Sequence, residues 1–210
     1  MNRNVQLKVK RVFDLFLILV TCWATIPIFI IVAIIIKMLS PEDKIIFTQY
    51  RIGYKGEKFR IHKFRSMTNQ RNYAGELLPD EQRLRLWGKI IRSLSIDEIP
   101  QIWDILCGSM SWIGPRPLLP HEMSVMTASE QSERQSMRPG ITGWEAVNES
   151  RAETRRKMAE FDLDYVRKWS LWFDVKIFIQ TALIVLMRLR PSDSLRAPKM
   201  DDEPDKGASL

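Results

Sequence analysis

The sequence predicts an α+β, mainly helical protein that is attached to a membrane near its N-terminus. Three observations carry this prediction: one long apolar segment, a pair of short β-like runs, and several amphipathic stretches after them. A chain of 210 residues suffices for one domain with appendages. We divide it into a membrane segment at 1–40, a membrane-associated domain at 41–190, and a polar, proline-containing tail at 191–210 that we expect to be disordered.

The apolar segment covers residues 12–36 and carries Asp14 as its single charge. It exceeds the roughly 20 residues that cross a bilayer. Basic residues flank both ends, although the orientation of a spanning helix normally follows an excess of Lys and Arg on one side. Pro27 removes one backbone donor and favours a kink. Two alternatives stay open here: a single span that tolerates the proline, or a helix-break-helix that enters one leaflet and returns. We expect Asp14 to pair with Lys10 or Arg11.

The net charge of +7 indicates an anionic partner, which could be nucleic acid, phospholipid headgroups or a phosphorylated small molecule. Composition does not choose among the three. The two cysteines, Cys22 and Cys107, do not form a disulfide framework, and two histidines without paired cysteines argue against a structural zinc site. This cysteine usage favours a reducing, cytosol-facing location.

The domain begins with β-like runs at 44–49 and 58–67, which predict a short hairpin with a bulge or strand end near Lys63. Residues 80–93 have a helical pattern. Residues 161–189 are apolar and aromatic but interrupted by charges. That pattern fits an amphipathic interfacial helix better than a second span, with a core helix as the alternative.

Adjacent carboxylates, Asp97 and Glu98, stand close to two arginines in sequence: Arg92, and Arg116 between two prolines. Ser95 and Glu98 have the spacing of a capping box, which predicts a helix start and makes the acids ordinary first-turn residues. Free N–H groups at a helix start also bind phosphate, and carboxylates can attack phosphorus or hold a metal. Both interpretations remain open on the residues alone.

Over about residues 8–189 the chain resembles the small monotopic polyprenyl-phosphate phosphoglycosyl transferases, which are bacterial sugar transferases. The resemblance rests on five segments in order: Lys-Arg-Val-Phe-Asp at 10–14, Ile-His-Lys-Phe-Arg-Ser-Met at 61–67, Arg-Ser-Leu-Ser-Ile-Asp-Glu-Ile-Pro-Gln at 92–101, Gly-Pro-Arg-Pro-Leu at 114–118, and Arg-Pro-Gly-Ile-Thr-Gly at 138–143.

The resemblance implies transfer of a sugar phosphate from a UDP-sugar to undecaprenyl phosphate, with release of UMP, as the first membrane step of bacterial glycan biosynthesis. It implies a covalent phosphosugar on Asp97, with Glu98 as its companion carboxylate and Mg2+ held by both. The phosphate-binding residues that it implies, or that we assign beside it, are Lys63, Arg92, Arg116, Arg138 and Arg151. Arg151 is included because this chain has Asn-Glu-Ser-Arg at 148–151 where many members have Asn-Gly-Arg.

The resemblance also implies a monotopic fold, with a re-entrant helix broken at Pro27 on the cytoplasmic face of the inner membrane. Many members have Ser-Pro at the break, where this chain has Ile26-Pro27. The expected partners are the two substrates and membrane phospholipids, with a homodimer possible and no nucleic acid. The competing hypothesis is a membrane-tethered protein that binds anionic lipid or nucleic acid without chemistry. The sequence does not name the sugar.

Overall fold

The computed structural model describes residues 3–188 of the protein, and the predicted tail at 191–210 lies outside them. Within this range the structure is mainly helical and contains two small sheets. The α-helices are α1 (Arg3–Leu39), α2 (Asp80–Arg83), α3 (Leu86–Ser93), α4 (Gln101–Leu106), α5 (Ala128–Arg134), α6 (Trp144–Val147), α7 (Arg155–Lys168) and α8 (Leu171–Arg188). The strands are β1 (Ile46–Ile52), β2 (Lys58–Phe64), β3 (Ser111–Ile113) and β4 (Gly140–Thr142).

Helix α1 continues through Pro27 without interruption, so the predicted helix-break-helix does not appear as two separate helices. Within residues 3–188 it is the one helix long and apolar enough to cross a membrane. Its buried side chains form two groups: Lys10, Asp14 and Ile18 near the start, and Val32 and Ile36 near the end. Residues 19–31 between these groups are all exposed or half-buried.

Both parts of α1 pack on the same domain. Ile18 belongs to a core cluster with Ile61 of β2, whereas Val32 belongs to a cluster with Phe64 of the same strand. The rings of Phe29 and Phe64 lie 4.8 Å apart, centroid to centroid. One strand of the domain therefore takes part in the packing of α1 on either side of its exposed middle.

Polar contacts fix the first part of α1 as well. Lys10 Nζ lies 2.6 Å from Asp174 Oδ2 in α8, and Asp14 Oδ1 accepts a hydrogen bond from Ser111 Oγ at 2.9 Å. Asp14 therefore bonds residues across the fold in addition to the expected electrostatic interaction with Lys10 and Arg11. Arg11 donates to the carbonyl oxygens of Ile105 at 2.6 Å and of Leu106 at 3.0 Å, at the end of α4.

The predicted hairpin is confirmed. Strands β1 and β2 pair antiparallel in one unbroken register, from Ile46 opposite Phe64 to Ile52 opposite Lys58. The expected irregularity near Lys63 is the strand end at Phe64 and not a bulge. A 3-10 turn at Tyr54–Gly56 forms the tip.

The helix predicted at 80–93 is two helices, because Leu84 is extended, with φ −81° and ψ 90°. The break lets α3 approach the loop that follows β2. A Cβ atom at Gly88 would collide with the carbonyl oxygen of Ser66, so the glycine is required for this approach.

The stretch predicted as one interfacial helix at 161–189 also divides, at Trp169. Helix α7 buries Ala159, Leu163 and Tyr165, so the core-helix alternative is right for it. Helix α8 buries Asp174 and Ile177 but exposes a large apolar set. The main exposed members are Trp172, Ile179, Leu183, Leu186 and Met187. An interfacial position for α8 stays a prediction.

Candidate active site

The two adjacent carboxylates lie in a tight turn between α3 and α4. Ser95 has φ 55° and ψ 21°, in the left-handed region, and its side chain makes no capping bond. A 3-10 turn at Ile96–Glu98 follows, and α4 begins only after Pro100. The predicted capping box is therefore wrong, and the helix predicted to begin near Ser95 begins there as a 3-10 turn, with the α-helix following only from Gln101. A left-handed residue without a glycine's freedom is uncommon and clusters at functional turns.

Glu98 points across to the hairpin and not back to Ser95. Its Oε1 atom lies 3.4 Å from Nζ of Lys63 on β2, and both side chains are mostly buried. Asp97, the preceding residue, is buried with 8% of its surface exposed. The turn thus brings one carboxylate to a cation of the hairpin and encloses the other.

A histidine and an aspartate hold the hairpin against α4. Asp104 Oδ2 accepts the backbone N–H of His62 at 2.9 Å, and Oδ1 lies 2.7 Å from His62 Nδ1. Burial raises the pKa of Asp104, and the hydrogen bonds from His62 oppose that rise. Since His62 precedes Lys63 and α4 follows the Asp97–Glu98 turn, this contact keeps the two halves of the Lys63–Glu98 pair in register.

A cleft opens beside this pair. Three cations line it, namely Lys63, Arg51 and Arg116, together with the carboxylates of Glu98 and Glu145. Residues 140–143 and Gly114 form much of the remaining wall. A cleft with several fixed cations is suited to a polyanionic ligand such as a diphosphate.

The glycines of this wall have a packing role. Strands β3 and β4 pair in parallel, with Ser111 opposite Gly140. A Cβ atom at Gly114 would collide with the carbonyl oxygen of Arg138, and one at Gly143 would collide with that of Gly114. These glycines thus allow the two loops to approach each other closely.

Arg116 lies in the cleft wall between its two prolines. Its Nη1 atom is 4.0 Å from Glu145 Oε2, and its side chain is 23% exposed. The Glu145 side chain is only 4% exposed. Arg116 and Lys63 are thus the two predicted phosphate-binding residues that the structure brings together in one cleft.

The other three predicted cations lie outside the cleft lining. Arg92 donates to Ser66 Oγ at 2.7 Å, and Arg138 donates to the carbonyl oxygen of Gly108 at 2.7 Å. Arg151 ends an exposed 3-10 turn at Glu149–Arg151. The phosphate-binding role of these three stays a prediction.

Two cleft residues were missed from the sequence. Arg51 is buried, lies 3.6 Å from Glu122 Oε2 through Nη1, and donates to the carbonyl oxygen of Pro117 at 3.2 Å. In the sequence it appears only as one of several basic residues after the apolar segment. Glu145 follows the Thr-Gly-Trp run, and an acid directly after a glycine-rich loop with its own arginine is the signal that could have identified it.

The donor set can be tested against the expected Mg2+. Within residues 3–188, no group of three or more His, Cys, Asp or Glu side chains is placed to hold a metal. Mg2+ is usually bound by one or two carboxylates plus waters and substrate phosphates. Asp97 and Glu98 supply two carboxylates from one turn, which is the number that such a shared Mg2+ site needs, and they do not form a closed protein site. Mg2+ binding by this pair stays a prediction.

Residues 5–188 match the family model described as bacterial sugar transferase. The chain belongs to this family. The predicted family and the predicted enzyme class, a transferase, are thereby confirmed.

The relatives include a protein from Bacillus subtilis (strain 168) called uncharacterized sugar transferase EpsL. It is 42% identical over 180 residues, covering 85% of this chain and 87% of that protein. The UDP-glucose:undecaprenyl-phosphate glucose-1-phosphate transferase of Escherichia coli (strain K12) is 35% identical over 85% of this chain and 40% of its own length.

A third relative is the UDP-N-acetylgalactosamine-undecaprenyl-phosphate N-acetylgalactosaminephosphotransferase of Aeromonas hydrophila. It is 35% identical over 85% of this chain and 44% of its own length. The chain thus spans less than half of these two named transferases. Their names agree on undecaprenyl phosphate and differ in the sugar.

Proposed function

We propose that the protein transfers a sugar 1-phosphate from a UDP-sugar to undecaprenyl phosphate and releases UMP, as the first membrane step of a bacterial glycan pathway. The observation that carries this proposal is the cleft lined by Lys63, Arg51, Arg116 and Glu98. Asp97 does not line the cleft itself but precedes Glu98 in the same 3-10 turn. The names of the relatives support the same substrates. A protein that only binds phosphate gains nothing from two carboxylates beside its cations.

In the first step, a carboxylate oxygen of Asp97 attacks the phosphorus that carries the sugar. A bond forms between that oxygen and phosphorus, the bond to the bridging oxygen of the diphosphate breaks, and UMP leaves with the electron pair. In the second step, a phosphate oxygen of undecaprenyl phosphate attacks the same phosphorus and displaces Asp97. Glu98 is the candidate base if that phosphate arrives protonated.

Charge decides what the cleft must supply. An anionic carboxylate attacks an anionic diphosphate in the first step, and anionic undecaprenyl phosphate attacks the phosphosugar on Asp97 in the second. Fixed cations therefore have to offset the repulsion in both steps. Lys63 and Arg116 carry this role. Lys63 lies 3.4 Å from Glu98 of the turn, and Arg116 lies 4.0 Å from Glu145 in the cleft lining. When bound through Asp97 and Glu98, Mg2+ would supply further stabilisation of charge on the phosphates.

We also propose that α1 is re-entrant and that the enzyme lies on the cytoplasmic face of the inner membrane. Packing on both sides of its exposed middle involves β2, whereas a spanning helix would be divided by about 30 Å of hydrocarbon. Re-entry places the basic residues of both flanks on one side, as the positive-inside rule favours. The exposed residues 19–31 and the apolar face of α8 would then contact phospholipid.

The mechanism is tested with Asp97→Asn. We expect this variant to fold and to release no UMP from a UDP-sugar in the presence of undecaprenyl phosphate and Mg2+. Wild-type protein incubated with a UDP-sugar and Mg2+ but without undecaprenyl phosphate should gain the mass of one phosphosugar by intact-protein mass spectrometry, and the variant should not. Full turnover by Asp97→Asn would refute the covalent mechanism. A panel of UDP-sugars in the same assay identifies the donor.

The topology is tested by labelling single cysteines introduced at Asn4 and Lys55, after Cys22 and Cys107 are replaced by serine. Both positions should react with a membrane-impermeant reagent only from the cytoplasmic side. Labelling of the two positions from opposite sides would show that α1 spans the membrane.

A further inference from the structure

The backbone of Arg116 is held at both of its polar groups by one buried ion pair. Since Pro115 and Pro117 have no N–H, Arg116 carries the only backbone donor of this tripeptide. That N–H lies 3.3 Å from each carboxylate oxygen of Asp162. The carbonyl oxygen of Arg116 accepts a hydrogen bond from Nη2 of Arg134.

Arg134 and Asp162 complete the arrangement by contacting each other. Nη2 of Arg134 lies 2.6 Å from Oδ2 of Asp162, and Nε lies 3.0 Å from the same oxygen. Arg134 is the last residue of α5, and Asp162 lies within α7. The pair therefore joins two helices and holds both backbone polar groups of Arg116, a residue of the cleft wall, between them.

Burial argues against a purely stabilising role for this pair. The Arg134 and Asp162 side chains are 3% and 2% exposed. Burial raises the pKa of Asp162, and the charge of Arg134 acts in the opposite direction. Because desolvation offsets most of the Coulombic gain, a buried ion pair is often no more stabilising than apolar residues of the same volume.

Two other ion pairs already connect α5 with α7. Arg156 lies 2.7 Å from Glu130, and Arg167 lies 2.8 Å from Glu133. Both arginines are about half exposed. The docking of α5 on α7 thus has surface contacts of its own, whereas the buried pair is distinguished by its contact with Arg116.

We propose that Arg134 and Asp162 are positioning residues that fix the backbone of Arg116, so that the Arg116 guanidinium is held in the cleft for the phosphate of the UDP-sugar. The phosphate-binding part of this inference rests on the proposed function. The pair acts by limiting the backbone freedom of Arg116. A preorganised cation stabilises developing charge without reorganisation at the moment of reaction.

The test replaces the pair by apolar residues of similar volume, Arg134→Met with Asp162→Leu, in the full chain. Such a replacement leaves no buried unpaired charge and usually preserves folding. We expect an unchanged or higher melting temperature and a kcat/KM for UMP release that falls about tenfold to a hundredfold. The matched control, Arg167→Met with Glu133→Leu, changes a surface pair between the same helices and should stay within about twofold of wild type.

A double-mutant cycle separates positioning from a general effect on the fold. If the pair acts through Arg116, the apolar replacement should cost no further activity in an Arg116→Ala background. The proposal would be overturned if the variant that combines Arg116→Ala with the apolar replacement lost kcat/KM by the product of the two separate losses. It would also be overturned if the apolar replacement alone had the kcat/KM of wild type. If the apolar replacement does not fold, Arg134→Lys serves in its place, because a single ammonium cannot reproduce the guanidinium's contacts with both Asp162 and the carbonyl.

Amide hydrogen exchange at Arg116 gives a readout that does not depend on activity. The Arg116 N–H should exchange slowly in wild type and in the surface-pair control, and at least about tenfold faster in the apolar replacement. Equal exchange rates would refute the clamp even if activity fell. Failure of wild type to release UMP from any UDP-sugar would refute the proposed function, while the exchange rates would still decide whether the clamp exists.

Discussion

The five cations assigned to phosphate from the sequence fall into two groups in the structure. Lys63 and Arg116 line the cleft and face carboxylates. The others lie elsewhere, and of these Arg92 and Arg138 donate to neutral oxygens of neighbouring segments. A cation that faces a carboxylate inside a cleft can exchange that partner for a substrate anion. An arginine that donates to a neutral oxygen of a neighbouring segment joins two parts of the chain, and that contact contributes to stability.

The largest effect predicted by this division is the loss of Arg116. We expect Arg116→Ala to lower kcat/KM for UMP release about a hundredfold or more, since one preorganised donor to a developing anion is typically worth that much. Arg116→Lys keeps the charge but loses the planar fork, and should recover only part of the activity. Steady-state kinetics over a range of UDP-sugar concentrations measures both. If kcat/KM fell by less than about threefold in Arg116→Ala, Arg116 would not belong to the substrate-binding cations.

Loss of the Arg138 side chain should lower the free energy of unfolding and change kcat/KM little. Besides donating to Gly108, its guanidinium lies 5.1 Å from the ring centroid of Tyr54 at the hairpin tip. We expect Arg138→Ala to lower the free energy of unfolding by about 2 kcal/mol, from one charged hydrogen bond and one partly exposed cation–π contact. Chemical denaturation in detergent measures this loss.

The kinetic control for Arg138→Ala is kcat/KM measured well below the melting temperature, which should stay within about threefold of wild type. A hundredfold loss of kcat/KM at unchanged stability would contradict the division, because it would move Arg138 into the substrate-binding group.

Residue patterns within a short segment predicted the hairpin correctly but not the turn that carries the two carboxylates. The β-like runs at 44–49 and 58–67 predicted a hairpin that the structure confirms. The i, i+3 spacing of Ser95 and Glu98 failed, because spacing says nothing of the left-handed φ at Ser95. That single dihedral turns Glu98 away from the helix start and towards Lys63.

Contacts between residues far apart in the sequence could not be predicted from strand-like runs or from helical spacing. Asp174 was taken as one of the charges interrupting an amphipathic stretch, and Asp162 was given no role, yet both are buried. Their partners, Arg134 and Lys10, lie 28 and 164 residues away in sequence. A polar residue in a helical pattern indicates a surface only when no distant partner satisfies it, and one sequence does not reveal such partners. The resemblance located the Arg116 loop but not the pair that holds it.

The smallest effect is predicted for Arg151. It ends the exposed turn at Glu149–Arg151, beyond α6, and the cleft lining reaches only to Ala146 in this part of the chain. We expect Arg151→Ala to change the free energy of unfolding by less than about 0.5 kcal/mol and kcat/KM by less than about twofold, as for other surface substitutions. Lys168→Ala, at the exposed end of α7, is the matched control. A rise in KM for the UDP-sugar with Arg151→Ala alone would show that this arginine reaches the substrate despite the Asn-Glu-Ser-Arg sequence, and the division would then have to place it with Lys63 and Arg116.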